Sequence, residues 1–197
     1  MTTLRIMEGN RLAYYQEAAT SDYWTEHWKK INPNPRMPWA EAGNLLRLSY
    51  IFQRYLPKKG KIIEAGCGMG GYVLALQKNG YDIEGVDYSS ETISTTLSIY
   101  PDLPVRVGDV TALDVPDEYY SGYISLGVVE HRHEGPEPFF KEGYRVLTND
   151  GIGLISVPHM NSLRKIKAKI GLFKGEIGNK EFYQFAYDDD EFTELLQ

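Results

Sequence analysis

Cysteine is almost missing from this sequence. Cys67 stands alone among 197 residues, so no internal disulfide can form and no Cys/His zinc cluster is available. Cations are also scarce: 21 Lys and Arg face 27 Asp and Glu, a formal net charge of −6. Such a balance argues against a nucleic-acid partner, because a phosphate backbone calls for a basic surface. No apolar run approaches the roughly 20 residues that a membrane-spanning helix needs. The opening MTTLRIMEGNRL carries no apolar core of the signal-peptide kind. No internal repeat or low-complexity linker interrupts the chain. What remains is a globular balance, 42% hydrophobic and 24% charged, at the size of one domain. The expected compartment is the cytoplasm.

Aromatic residues are plentiful, with 15 Tyr and three Trp. Most such rings pack cores, and some line pockets. Residues 1–60 are expected to form a helical N-terminal extension. Trp24 and Trp28 are four apart, as are Tyr23 and His27, so each pair can share a helix face. The prolines of INPNPRMP mark a loop. Leu45, Leu48, Phe52 and Leu56 then recur at helical spacing until Pro57 and the turn Lys58-Lys59-Gly60.

From residue 61 the pattern alternates between strands and helices. KIIEA, YDIEGVD, LPVRVGD, SGYISLGVV and GIGLISV read as five strands. YVLALQKNG between the first two reads as a helix ending at Gly80. Ser89 or Ser90 can cap the next helix, with Glu91 in its first turn. Pro136 suits the start of a helix that buries Phe140, Tyr144 and Leu147. Strands separated by helices imply a parallel sheet with right-handed crossovers. The predicted fold is α/β, a doubly wound Rossmann-like sheet over 61–160, followed by an acceptor-side segment over 161–197.

The stretch Glu64-Ala65-Gly66-Cys67-Gly68-Met69-Gly70-Gly71 follows the first strand and opens the first helix of that sheet. Glycine lets the backbone turn tightly and meet a ligand without a Cβ in the way. Gly66, Gly68 and Gly71 satisfy the dinucleotide pattern G-x-G-x-x-G. Gly66, Gly68 and Gly70 equally satisfy G-x-G-x-G. Asp87, which ends the second strand, suits a ribose in either case. Three features separate the readings. Glu64 is a carboxylate beside the turn, which would repel a pyrophosphate but suits a cationic ligand. Asp109 ends the third strand, where it can accept a hydrogen bond from an adenine amino group. SLGVVEH brings Gly127, Glu130 and His131 to the carboxyl edge, where open α/β sheets bind ligands.

Residues 61 to about 157 resemble the class I S-adenosylmethionine (SAM)-dependent methyltransferase superfamily. The nearest branch is the small-molecule one that includes the ubiquinone and menaquinone biosynthesis enzymes and the type 11/12 domains. IIEAGCGMGG, EGVDYS, VGDVTALDVPDEYY, SLGVVEH, FFKEGYRVLTNDG and ISVPHMNS carry the resemblance, in the family's order. FYQFAYDDDEFTELL also resembles this branch, where it precedes the strand-six region. The resemblance implies SAM as cofactor and S-adenosylhomocysteine as product. It implies that Glu64, Gly66, Cys67, Gly68 and Gly70 surround the methionine part, and that Asp87 takes the ribose hydroxyls. Tyr88, Asp109 and Val110 would hold the adenine, with Leu126 and Gly127 by the sulfonium. The family's sheet normally ends in a hairpin of strands six and seven. The chain stops at Gln197, where that hairpin is expected to begin, so a truncated domain is anticipated.

Methyl transfer asks mainly for alignment, which can supply about 7–11 kcal/mol of the barrier. A general base helps an oxygen or nitrogen acceptor to shed its proton. His131, after the fourth strand, is the first candidate base, and His159 the second. HRHE is not a zinc motif, so no metal is expected. Tyr15 and Trp28, with Tyr14 and Trp24, are candidate lid or substrate contacts. SLRKIKAKIGLFK, residues 162–174, is basic and amphipathic. Such a helix can rest on an anionic membrane, attract an acidic substrate, or cover the acceptor pocket as a solvated helix. The expected function is methyl transfer from SAM to an oxygen or nitrogen of a small-molecule acceptor. A non-catalytic SAM-binding module and a nicotinamide-dependent oxidoreductase are the alternatives.

Overall fold

The computed structural model describes residues 3–16, 19–31 and 35–196. Part of the proline-marked loop, 32–34, lies outside the described residues.

The chain opens not on a helix but on a hairpin. Strands β1 (Leu4–Glu8) and β2 (Arg11–Gln16) pair antiparallel with Glu8 opposite Arg11. Gly9 and Asn10 make the two-residue turn, with Gly9 at φ +59°. Glycine in the first central position is what a type II′ hairpin turn requires. The side chains of β2 alternate: Leu12 and Tyr14 enter one cluster, Ala13 and Tyr15 another. That period of two belongs to a strand and overrides the expected helix.

Helices begin at α1 (Ser21–Ile31), followed by the short α2 (Pro38–Glu41). The predicted long helix over 45–56 divides into a 3₁₀ turn, Leu46–Leu48, and α3 (Ser49–Tyr55). Its apolar spacing survives, since Leu45, Phe52 and Leu56 are all buried.

The central layer is a five-stranded parallel sheet, built as predicted from β3 (Lys61–Ala65), β4 (Asp82–Asp87), β5 (Val105–Val107), β6 (Tyr120–Leu126) and β7 (Leu147–Ser156). The spatial order is β5-β4-β3-β6-β7, and every neighbouring pair is parallel. Helices α4 (Gly71–Lys78), α5 (Ser90–Ile99) and α6 (Glu137–Val146) make the crossovers. Ser89 caps α5, its hydroxyl accepting from the Thr92 amide. Ile62 and Ile63 are both fully buried, in clusters on opposite faces of the sheet. A strand covered on both faces reads as an unbroken apolar run, which is why KIIEA was recognisable. Each such side chain contributes about 1.5–3 kcal/mol by burial.

One core expectation is corrected. Tyr144 is 85% exposed. It is Gly143 that faces the sheet, where a Cβ would lie 3.2 Å from Tyr123 Cζ. Helix α6 therefore approaches the Tyr123 ring through backbone, which turns Tyr144 outward.

Beyond β7 come α7 (Ser162–Lys169), β8 (Glu181–Ala186) and α8 (Asp189–Leu195). Strand β8, drawn from FYQFAYDDDEFTELL, does not extend the parallel sheet. It pairs antiparallel with β2, Phe185 opposite Ala13, and completes a second sheet of order β1-β2-β8. Among the described residues no helix is long and apolar enough to cross a membrane.

Candidate functional site

The order reversal at β3, whose neighbours β4 and β6 lead away in opposite directions, opens a crevice at the carboxyl edge of the parallel sheet. A cavity of about 1190 Å³ fills it. Single-ligand pockets usually hold about 300–1,000 Å³, so this one has room for more than one small molecule.

The glycine loop between β3 and α4 forms its floor. Gly66 takes φ +83°, and a Cβ there would lie 2.3 Å from Val128 Cγ2. Both Gly66 N and Cys67 N donate to Val86 O, at 2.8 and 3.0 Å, which pins the loop to β4. Gly68, at φ +52°, lies under the indole of Trp28, whose Cζ2 would be 2.6 Å from a Cβ. Gly68 N donates to Asp87 Oδ2 at 2.8 Å, and Ser89 N donates to Asp87 Oδ1 at 3.0 Å. Asp87 thus ties the loop to the head of α5 and still has lone pairs free for a ligand. Burial raises its pKa, and the backbone amides of Ser89, Gly68 and Tyr88 oppose the rise.

Glu64 is 4% exposed, lines the cavity, and leaves Oε2 without a hydrogen-bond partner. Burial pushes its pKa up to about 8; the nearby Asp87 charge adds to the rise, and the Val73 amide works against it. A carboxyl held neutral by desolvation ionises when a cation arrives beside it. Burial also holds the Cys67 thiol well above its ordinary pKa, which makes it a wall rather than a nucleophile.

Asp109 is exposed on the cavity rim, where Oδ1 accepts from the Thr111 amide at 2.8 Å and the Thr111 hydroxyl at 2.7 Å. Val110 beside it is buried. Leu126 and Gly127 line the cavity from the end of β6. Tyr88 is half-exposed, and its hydroxyl donates to Ala19 O at 2.8 Å.

His131 lines the same cavity. Its Nδ1 lies 2.7 Å from Tyr183 O, an acceptor, so Nδ1 carries the proton; Nε2 lies 4.0 Å from Glu130 Oε1. Burial lowers its pKa and His27 adds to the fall, while the Tyr183 and Gly127 carbonyls oppose it. The rings of Trp24 and Tyr183 stand edge-on to it, at 5.0 and 4.8 Å. The result is a fixed, neutral imidazole.

Two candidates fall elsewhere. Tyr15 is absent from the cavity wall; its buried hydroxyl donates to Glu8, and its ring meets Phe182 and His133 edge-on. His159 is also off the wall, 53% exposed, with Nε2 3.3 Å from Asp189 Oδ1. It follows β7, whose end lies beside the small sheet rather than over the glycine loop. Gly68 and Gly70 support the loop from below, Gly70 as the N-cap of α4. The structure adds Trp39 and Tyr72, in edge contact at 5.4 Å, and Phe182 of β8 to the wall. No spacing rule links these three. The only hint in the sequence is the aromatic richness of the segments that carry them.

Residues 63–155 match the family described as "Methyltransferase domain". A Mycolicibacterium smegmatis protein described as a probable SAM-dependent methyltransferase is 30% identical over 98 residues, which cover 50% of this chain and 38% of that protein. A similarly described Mycobacterium tuberculosis protein is 27% identical over 115 residues, 57% of this chain and 42% of its own. The chain therefore spans about two-fifths of the length of these curated relatives. A Pyrococcus horikoshii crystal structure superposes with a TM-score of 0.62 at 19% identity, covering 85% of this chain and 88% of that one. A Thermotoga maritima SAM-dependent methyltransferase, described as a possible histamine N-methyltransferase, gives 0.59 at 19% identity, with coverages of 90% and 79%. At these identities the structural likeness speaks to the fold.

Proposed function

We propose that the chain, whose residues 63–155 match a methyltransferase-domain family, is a class I SAM-dependent methyltransferase that takes SAM as its cofactor and moves a methyl group from it to an oxygen or nitrogen atom of a small molecule.

The observation that carries this reading is the buried Glu64 carboxyl, whose Oε2 lacks a hydrogen-bond partner. A buried acid without a partner is costly, and a cationic ligand removes the cost by pairing with it. SAM presents a positively charged methionine end. A dinucleotide would bring a pyrophosphate to the same loop, against the Asp87 carboxylate, and would leave the Glu64 carboxyl protonated and uncompensated. The residues fit the first ligand and repel the second.

Under this proposal Glu64 and the loop Gly66–Gly70 receive the methionine end, with Cys67 as an apolar wall. Asp87 accepts the ribose hydroxyls while it holds the loop through Gly68. Tyr88, Asp109 and Val110 enclose the adenine, and Leu126 and Gly127 border the sulfur. Trp28 roofs the loop. SAM supplies a methyl group already activated by its sulfonium. The protein's part is to align the acceptor on that methyl and to keep water out, which Trp24, Trp28 and Trp39 serve from the lid side. His131 accepts the acceptor's proton on Nε2 as the new bond to carbon forms and the carbon–sulfur bond breaks. Its hydrogen bond to Tyr183 O and its lowered pKa suit it to that task.

Thermal unfolding with SAM, S-adenosylhomocysteine and NAD tests the reading. A ligand at 100 times its dissociation constant adds about 2.7 kcal/mol of stability. The adenosyl-sulfur ligands are expected to stabilise and NAD is not. Stabilisation by NAD alone overturns the proposal. Methyl release onto small amines, phenols or hydroxy compounds then tests catalysis. Binding without turnover across those classes favours a SAM-binding module.

A further inference from the structure

Helix α7 is amphipathic, yet it turns its apolar side to solvent. Leu163, Ile166 and Ile170 fall on one helical face and are 60%, 57% and 67% exposed. Leu172, just past the helix, is 62% exposed. None of the four lines the cavity, which excludes the expectation that this helix covers the acceptor pocket. The side towards the protein carries small and polar groups instead. Ala168 packs on the cluster of Leu12, Tyr14 and Phe173; Lys165 reaches Asp188 at 3.4 Å; Arg164 donates to His159 O. Phe173, 8% exposed, is buried in that cluster and fixes the far end of the segment.

Charge identifies what covers the face. Residues 162–174 contain Arg164, Lys165, Lys167, Lys169 and Lys174 and no acid, within a chain of net charge −6. Among the described residues, only Lys165 of these five makes an ion pair. A helix that exposes aliphatic side chains among cations has the composition of a helix that lies in a membrane interface. A second copy would set this basic face against its like. Nucleic acid would satisfy the cations and leave the aliphatic face wet.

We propose that α7 and the turn that follows it form a docking surface for an anionic lipid bilayer. Leu163, Ile166, Ile170 and Leu172 enter the interface, and Lys167, Lys169 and Lys174 meet the headgroups. The small sheet β1-β2-β8 lies directly behind this surface and carries Phe182 into the cavity wall, so docking sets the substrate cavity close to the membrane.

The test is co-sedimentation of the whole chain with vesicles of phosphatidylglycerol and phosphatidylcholine, against vesicles of phosphatidylcholine alone. Binding to the anionic vesicles, weakened by added salt, is expected. Each of Lys167→Gln and Lys169→Gln should weaken partitioning about fivefold. Ile166→Ser with Ile170→Ser should abolish it; both side chains are exposed, so the fold is retained and thermal unfolding checks this. No binding to anionic vesicles overturns the proposal. So does binding that survives the paired serine variant. A DNA duplex bound as tightly as the vesicles, or a dimer in sedimentation velocity that the serine pair dissolves, assigns the face to nucleic acid or to a second copy and equally overturns it. The assay involves no turnover, so its failure leaves the methyltransferase reading untouched.

Discussion

The five-stranded sheet buries aliphatic side chains on both faces, whereas the three-stranded sheet packs rings. Ile62, Ile63, Ile83 and Ile124 fill the first; Tyr14, Tyr15, Phe185 and Tyr187 fill the second. The polar groups differ in the same way. At the carboxyl edge of the large sheet, Glu64 has a free oxygen and Asp87 is held only by backbone amides. In the small sheet, Glu8 is occupied by Tyr15 and His133, and Arg11 binds Glu191 at 2.6 Å. Around the small sheet, Tyr187 Oη and Glu191 Oε2 also lack a hydrogen-bond partner among the described residues, but neither residue lines the cavity, whereas Glu64 does. A buried carboxyl left unsatisfied marks where a ligand belongs when it also faces a cavity, as Glu64 does.

The sharpest way to break this contrast is to remove the one base candidate. His131→Gln should lower kcat roughly 10²- to 10⁴-fold while leaving SAM affinity nearly unchanged, which steady-state kinetics and calorimetry read separately. In the native protein the rate should rise with pH and level off below the ordinary histidine value, because burial keeps the imidazole neutral. A plateau reached only at alkaline pH would remove His131 from that role.

Asp87→Ala comes next. It removes the ribose acceptor and frees Gly68 N and Ser89 N, so SAM affinity should fall roughly 100-fold by calorimetry. Tyr15→Phe, made in the small sheet, should leave that affinity unchanged, since Tyr15 is off the cavity wall. Equal losses from the two variants would erase the distinction between the regions.

Gly68→Ala puts a Cβ 2.6 Å from Trp28 Cζ2 at a backbone φ of +52°. It should destabilise the fold by roughly 1–3 kcal/mol in urea unfolding. Adding Trp28→Ala should recover the steric share and leave the backbone strain, a coupling that a double-mutant cycle isolates.

Glu64→Gln is the subtlest. A carboxyl raised to about 8 from an unfolded value near 4.5 binds more protons in the folded state. Its contribution to stability is full below about 4.5 and lost as pH rises towards 8. The ligand-free glutamine variant should therefore be more stable than the native protein above pH 8, by roughly 1–3 kcal/mol, yet bind SAM less tightly. Native SAM affinity should rise with pH through the same window. A variant that loses stability at high pH would mean that contacts to the carboxylate, such as the Val73 amide, outweigh its burial penalty.

The parallel sheet and its glycine loop were legible because each is a local matter. Strands buried on both faces need unbroken apolar runs, and Gly66 needs a positive φ wherever the chain turns under Val128. Asp87 was legible for a related reason, as the last residue of the strand beside the loop. The hairpin is harder to read: Gly9-Asn10 is a turn signal, but the helical spacing of Trp24 and Trp28 invites a helix over the period-two segment that precedes them. Tyr15 and His159 were read as site residues from their nearness in sequence to a lid and to a strand end. Their side chains instead point into the small sheet and towards Asp189.

By itself the sequence determined the order of the five strands' segments, the loop that crosses their edge, and the acids that stand beside it, since these follow from period, turn chemistry and the carboxyl-edge rule. Only the tertiary structure decided that β8 joins the N-terminal hairpin, that Trp28 roofs Gly68, and that α7 faces outward. Those are contacts between segments far apart in the chain. Their outcome depends on which surfaces remain uncovered once the central sheet has formed, and no short-range pattern carries that information.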